Sequence, residues 1–184
     1  MVLSDVFSDE FIARLNNLNE DGHVSPNEEV KGFIDVEKIL GELGFQVHIE
    51  QLMHGSGKIE NTKIYIDGSE NKRRQRFSMA HELGHAVQNV RYANRQDDPN
   101  DYDAFDRQDE VFANAFASQF LMPKLLVKQE IHQVIEASGL DSHHLNSDQV
   151  SQIIKKVAKK LKVSEMALKY RTDNLGIFIP AEDK

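Results

Sequence analysis

Apolar residues recur along this chain at two periods, and the change from one to the other sets the expected order of elements. Between Ser4 and Leu18, the residues Val6, Phe7, Phe11, Ile12, Leu15 and Leu18 fall at helical spacing, which predicts one helix capped by Ser4 or Asp5. Asn19 to Pro26 is polar, and Gly22 and Pro26 mark it as a loop. Ile34, Val36, Ile39, Leu40 and Leu43 then predict a second helix that stops at Gly44, where a left-handed residue would close the last turn. Beyond Gly44 the period drops to two. In Phe45 to Leu52, Phe45, Val47 and Ile49 alternate with Gln46, His48 and Glu50, the pattern of a half-buried strand with His48 on the solvated face. Lys63 to Asp67 reads as a second strand, and the two glycines of His54 to Asn61 predict a turn or flexible loop between them.

From Phe77 onward the pattern is helical again. Ala80, Leu83, Ala86, Val87 and Val90 make an apolar stripe over Phe77 to Asn89. Arg91 to Asp109 carries aspartates at 97, 98, 101, 103, 106 and 109 together with Pro99, which predicts a loop long enough to face a substrate. No EF-hand spacing is present, so these aspartates read as solvated charge and not as a calcium site. Asp109 to Met122 predicts a helix in which Phe112, Phe116 and Phe120 recur every four residues, while Ala113 and Ala117 allow close approach of a neighbour. Pro123 opens another helix, through Leu125, Leu126, Val127, Ile131, Val134 and Ile135, which ends around Gly139. Asn146 or Ser147 caps a helix through Lys160, Ser164 caps one through Leu175, and Ile177 to Pro180 reads as a short strand or extended tail. Leu161, Val163, Met166 and Leu168 are expected to pack these last helices onto the body.

Composition narrows the picture. A chain of 184 residues can build one domain with a true core and at most a small appended subdomain. A formal charge of −8 argues against nonspecific nucleic-acid binding by the whole surface and favours a soluble cytosolic protein. There is no cysteine, which excludes disulfides, thiolate metal sites and cysteine nucleophiles. Any metal must be held by histidine, carboxylate and water. The amino terminus lacks a basic stretch followed by an apolar run, and no apolar run approaches ~18 residues, so neither secretion nor membrane insertion is expected. Two basic stretches run against the overall charge. Lys72 to Arg76, just ahead of the Phe77 helix, reads as solvated charge or as contact with an acidic partner. Lysines 155, 156, 159, 160, 162 and 169 with Arg171 lie on two short helices joined like a helix-turn-helix, which invites duplex DNA, but the apolar residues there favour packing onto the body.

Candidate chemistry concentrates in the Phe77 helix. His81, Glu82 and His85 spell His-Glu-x-x-His, and a helix brings the two histidines, one turn apart, onto one face. Two neutral imidazoles suit Zn²⁺, and Glu82 is placed to take a proton from water activated there. The continuation with Gly and His three and six residues after the second histidine is absent, since Gln88 and Arg91 stand in those places. A third ligand must therefore come from another helix. Glu110, read in the first turn of the Asp109 helix, would complete a His₂Glu set with one position open. Asp106 and Asp109 compete for that role but are better placed as helix caps, and Asn114 could orient a ligand from behind. A donor for the developing oxyanion could come from Tyr92, His132, His143 or His144, among which the sequence does not choose. The strand Lys63 to Asp67 adds a further expectation, that main chain near Ile64 to Ile66 binds an extended peptide by strand addition.

Arg76 to Val87, RFSMAHELGHAV, and Glu110 to Pro123, EVFANAFASQFLMP, together resemble the ImmA/IrrE family of zinc peptidases, whose members share a His-Glu-x-x-His helix and a Glu-x-x-Ala-Asn helix closing in Leu-Met-Pro. The similarity extends over roughly Ile34 to Ile179. It implies an α+β, mainly helical zincin-like metallopeptidase fold of gluzincin type, with a small sheet before the His-Glu-x-x-His helix. Residues 1–145 would form the peptidase domain, with 1–33 as a helical extension, and 146–184 a helix-turn-helix-like segment packed on the body. The resemblance further implies Zn²⁺ on His81, His85 and Glu110, Glu82 as general base, and a cytoplasmic protease. Its substrate would be a helix-turn-helix repressor in a phage, mobile-element or stress-response circuit. The alternative is a non-proteolytic toxin–antitoxin or repressor-binding component with a structural or vestigial metal site. Nucleic acid is not expected as a direct ligand.

Overall fold

Helix gives way to sheet where the apolar period changes, at Gly44, which takes the left-handed φ of +81° that the helix stop requires. The computed structural model describes residues 1–51, 53, 55–92 and 102–178, with the backbone alone at 89–92 and 102–106. Its elements run α1 Leu3–Val6, α2 Asp9–Asn16, α3 Val36–Glu42, β1 Gln46–Glu50, β2 Gly57–Glu60, β3 Lys63–Asp67, α4 Lys72–Tyr92, α5 Tyr102–Leu121, α6 Lys124–Ala137, α7 Ser147–Leu161 and α8 Glu165–Asn174. This is the expected α+β, mainly helical arrangement with a small sheet ahead of the His-Glu-x-x-His helix.

Several boundaries differ from expectation for local reasons. The single helix expected over Ser4 to Leu18 is two, because Ser8 turns its hydroxyl to accept from Phe11 N and starts α2 afresh. Lys72 to Arg76 is not a lead-in to α4 but its first turns. On the far side α5 reaches back to Tyr102, so Glu110 lies well inside the helix and not in its first turn, and Asp106 and Asp109 are interior residues and not caps. Ile177 and Phe178 belong to no strand. Leu52, His54, the aspartates at 97, 98 and 101, and residues 179–180 lie outside the described residues.

The sheet has the order β1-β3-β2, with β3 parallel to β1 and antiparallel to β2. Central β3 buries Ile64 and Ile66 completely, whereas Ile49 on β1 is 47% exposed against the expected inward alternation. Both edges of β3 are occupied by neighbouring strands, so Ile64 to Ile66 have no main chain left for a peptide, and that expectation is corrected. The stretch read as a loop supplies the missing edge. Asn61, with φ +55°, turns the chain tightly from β2 into β3.

One hydrophobic cluster runs from Leu3 to Leu168 and takes in both ends of the chain. The aromatic period of α5 meets the first helices here: Phe7 stacks on Phe120 with centroids 5.3 Å apart, and Phe11 lies 5.9 Å from Phe116. At the other end, Leu161, Val163 and Leu168 are buried as expected, but Met166 is 68% exposed. Arg76 of α4 joins these regions. Its Nη2 donates to Ile34 O at 2.8 Å and its Nε to Lys162 O at 3.3 Å, where Lys162 forms the left-handed turn between α7 and α8. Burial pushes the Arg76 guanidinium below its ordinary pKa, and Asp35 and Glu37 at the start of α3 partly offset this. Arg76→Ala removes two charge-assisted bonds to carbonyls at once and is expected to lower stability by about 2–3 kcal/mol. Urea titration measures the loss, and an unchanged midpoint would mean that the two carbonyls are as well served by water.

Candidate metal centre

Helix α4 continues through the candidate residues without a break, so His81 and His85 stand one turn apart on the side facing α5. Their Nε2 atoms are 3.0 Å apart. Glu110 reaches across from α5, with Oε2 at 3.3 Å from His81 Nε2 and Oε1 at 3.2 Å from His85 Nε2. Among the described residues these three side chains alone form a group that could hold a metal ion; Asp109 does not join it, and the Asp106 side chain lies outside the described residues. Donors held at ~2.0–2.1 Å in a tetrahedral shell are separated by roughly 3.3–3.4 Å, so the two contacts to Glu110 are near that spacing and the histidine nitrogens, at 3.0 Å, are slightly closer than a bound ion of zinc's size would hold them. Burial lowers the His81 pKa, and the neighbouring His85 lowers it further, which keeps the ring in its neutral, ligating form. The Glu110 side chain is 59% exposed, so the cluster opens to solvent on that side.

Two close approaches make this geometry. Gly84, between the histidines, lies against α5 so tightly that a Cβ there would come 3.0 Å from the Cα of Ala113. The small pair lets the helices meet. One turn beyond His85, buried Gln88 donates from Nε2 to Asp109 Oδ1, fixing α5 next to the residue that carries the carboxylate. Asn114, one turn after Glu110, lines the cleft beside His81, and its side chain offsets part of the lowering of the His81 pKa.

Glu82 points into the same cleft, which has a volume of about 460 Å³ and is also lined by Ser56, Gly57, Ile59, Arg74 and Ser78. It is only 5% exposed, and burial, with Glu110 adding, pushes its carboxyl up to about 7. A cation among the three ligands would draw that value back down, so the position favours a group that gains and loses a proton easily near neutrality. His132, His143 and His144 do not line the cleft. His132 is exposed and pairs with Glu136, and the other two lie on the exposed turn around Asp141. The Tyr92 side chain is outside the described residues. The cations that do line the cleft are Lys58 and Arg74, and sequence reading assigned neither.

Strand β2 walls the cleft. Ser56 O accepts from Asp67 N at 3.1 Å, and with Lys58 opposite Tyr65 the ladder turns the main chain of Gly57 and Ile59 away from β3. Arg74 holds the strand's start, donating to Ser56 Oγ at 3.1 Å while Ser56 donates to Glu70 Oε1 at 2.8 Å.

The peptidase family described as the IrrE N-terminal-like domain matches residues 41–173. The chain belongs to this family. That membership brings a metallopeptidase-type function to the cluster on α4 and α5, and confirms the family expected from the two helical motifs. No curated protein matches the chain.

In this IrrE-like domain one contact ties the edge strand to the chemistry. A Cβ at Gly57 would sit 2.9 Å from Glu82 Oε1 and 3.3 Å from Ile66 Cδ1. Gly57→Ala therefore has to turn the Glu82 carboxylate aside. If Glu82 takes part in the hydrolysis, peptidase turnover is expected to fall roughly 10–100-fold, as for a reacting group misplaced by about 1 Å, while the melting temperature stays nearly constant. Steady-state kinetics beside a thermal melt separates the two, and full turnover in Gly57→Ala would show that Glu82 has room to spare.

Proposed function

We propose that this chain is a zinc-dependent endopeptidase of the cytoplasm, cleaving a helix-turn-helix transcriptional repressor in a mobile-element or stress-response circuit. The observation that carries the hydrolytic part is the convergence of His81, His85 and Glu110, with contacts of 3.0–3.3 Å between them, beside buried Glu82. The donor set has two imidazoles and one carboxylate, and with no cysteine in the chain it is of the kind that serves catalytic zinc. When bound, zinc polarises a carbonyl and brings the pKa of water towards ~7.

The chain's own residues then divide the work. An extended peptide lies along β2, where Gly57 and Ile59 offer main-chain donors and acceptors, and its scissile bond faces Glu82. Glu82 accepts the proton of the attacking water and delivers it to the leaving amine. Asn114 keeps the His81 ring aimed at the centre, and Gln88 with Asp109 holds Glu110 in place. Arg74 and Lys58, at the cleft wall, are the cations available for the charge that develops on the carbonyl oxygen. Among the described residues no helix is long and apolar enough to cross a membrane.

The test combines metal analysis with a cleavage assay on the repressor encoded beside the gene. One zinc per chain and two repressor fragments of defined mass are expected, and an intact repressor beside fully zinc-loaded protein would overturn the proteolytic reading in favour of a gripping component. Metal removal gives an independent measurement. At free zinc about 100-fold above Kd, binding adds about 2.7 kcal/mol to the folded state. Chelation is thus expected to lower the melting temperature by roughly 5–10 °C, reversibly.

A further inference from the structure

An apolar groove of about 760 Å³ lies between the start of α4, the end of α5 and α8, and it shares Arg74 and Phe77 with the metal cleft. Met122 and Val163 form its buried floor, while Met166 and Tyr170, one turn apart on α8, stand 68% and 64% exposed along its wall. Lys72, Arg73 and Arg74 line the other side, three consecutive cations in a chain of net charge −8. The Arg73 guanidinium has no hydrogen bond or ion pair among the described residues. The volume is within the ~300–1,000 Å³ of pockets that enclose a whole small ligand, so several side chains fit together.

The geometry points to this groove as the docking site of the protein substrate, for a segment that presents large apolar side chains flanked by carboxylates. The assignment rests on the peptidase reading and names the chemistry of the segment by which the substrate is held, which that reading leaves open. Charge complementarity selects the carboxylates, since the cationic rim runs against the chain's net charge of −8 and lines the apolar groove itself. Continuity selects a substrate, because a chain held here passes over Phe77 directly to Glu82 and the histidines. Although α8 is the second helix of a helix-turn-helix-like pair, its outward Met166 and Tyr170, with Glu165 beside them, suit a protein better than phosphate.

The test uses full-length zinc-loaded protein carrying Glu82→Gln, so that binding is read without cleavage. Three fluorescein-labelled 12-residue peptides serve as probes: a Phe/Leu core flanked by Asp and Glu, the same core flanked by Lys, and the acidic peptide with Ser replacing Phe and Leu. Anisotropy is expected to show at least tenfold tighter binding of the first, and at least a tenfold loss in Met166→Asp/Tyr170→Asp with zinc content unchanged. Arg73→Glu is expected to move the preference towards the Lys-flanked peptide, a reversal that general destabilisation does not produce. Equal binding of all three peptides, or indifference to these substitutions, overturns the assignment even where the parent enzyme cleaves its substrate. Salt-dependent binding of a 20-base-pair duplex, lost in Met166→Asp/Tyr170→Asp, overturns it in favour of a nucleic-acid face. Selective peptide binding in a protein that hydrolyses nothing would leave the docking site standing and remove only the peptidase reading.

Discussion

Glu82→Gln is expected to leave a folded protein that still binds one divalent ion at His81, His85 and Glu110, yet hydrolyses peptide ~10²–10⁴-fold more slowly. The size is that of a lost general base. The substitution is nearly isosteric, so packing against Gly57 is kept and the three ligand atoms are untouched. Stability is expected to hold or to rise slightly, because a buried carboxyl pushed up to about 7 is being exchanged for a group that never carries charge. The measurement is paired: zinc stoichiometry and melting temperature on one side, single-turnover cleavage on the other. A drop in activity accompanied by lost metal would mean that Glu82 serves the site's structure. Unchanged cleavage would remove it from the mechanism. His81→Ala is the contrasting control, since it removes a ligand and is expected to lose the metal together with the activity.

The parts of the site that were legible in the sequence are those set by one helix at a time. The spacing of His81 and His85 works because the apolar stripe through Ala80, Leu83 and Val87 fixes which side of α4 faces inward, and all three are buried. Glu110 could be named from its neighbours Ala113 and Phe116, although its place deep inside α5 could not, because the aspartate-rich stretch before it hides the start of the helix. Legibility fails where the cause lies across the fold. Gly57 to Glu60 has a loop's composition and becomes a strand only because β3 pairs with it along its whole length. The same glycine makes room for Glu82, twenty-five residues further on, which no local pattern signals. Asp109 reads as a cap until Gln88, twenty-one residues earlier, is seen donating to it. Met166 fits an apolar period and is exposed nonetheless, at the edge of a groove where burial awaits a partner.

Gly84→Val is expected to cost about 2–4 kcal/mol of stability and to weaken metal binding together with it. Backbone conformation is not the cause, since Gly84 has ordinary helical φ and any residue would gain in helix propensity there, by up to about 1 kcal/mol. The obstacle is α5. Even the first carbon of a side chain meets the Ala113 Cα at 3.0 Å and the Phe116 ring at 3.2 Å. Backbone cannot turn aside as a flexible side chain can, so two further methyl groups must push the helices apart, with the 1–3 kcal/mol or more typical of overpacking. Any such separation acts directly on Glu110, which sits three residues from Ala113 and whose oxygens lie 3.2–3.3 Å from the histidines across the same interface. Gly41 supplies the comparison. It lies in α3, where an added Cβ would meet nothing within 4 Å, so Gly41→Ala is expected to raise stability by about 0.5–1 kcal/mol. Chemical denaturation of both variants and zinc titration of Gly84→Val measure the two effects. If Gly84→Val kept the parent's midpoint and zinc affinity, the close approach of α4 and α5 would not be what sets the ligand spacing.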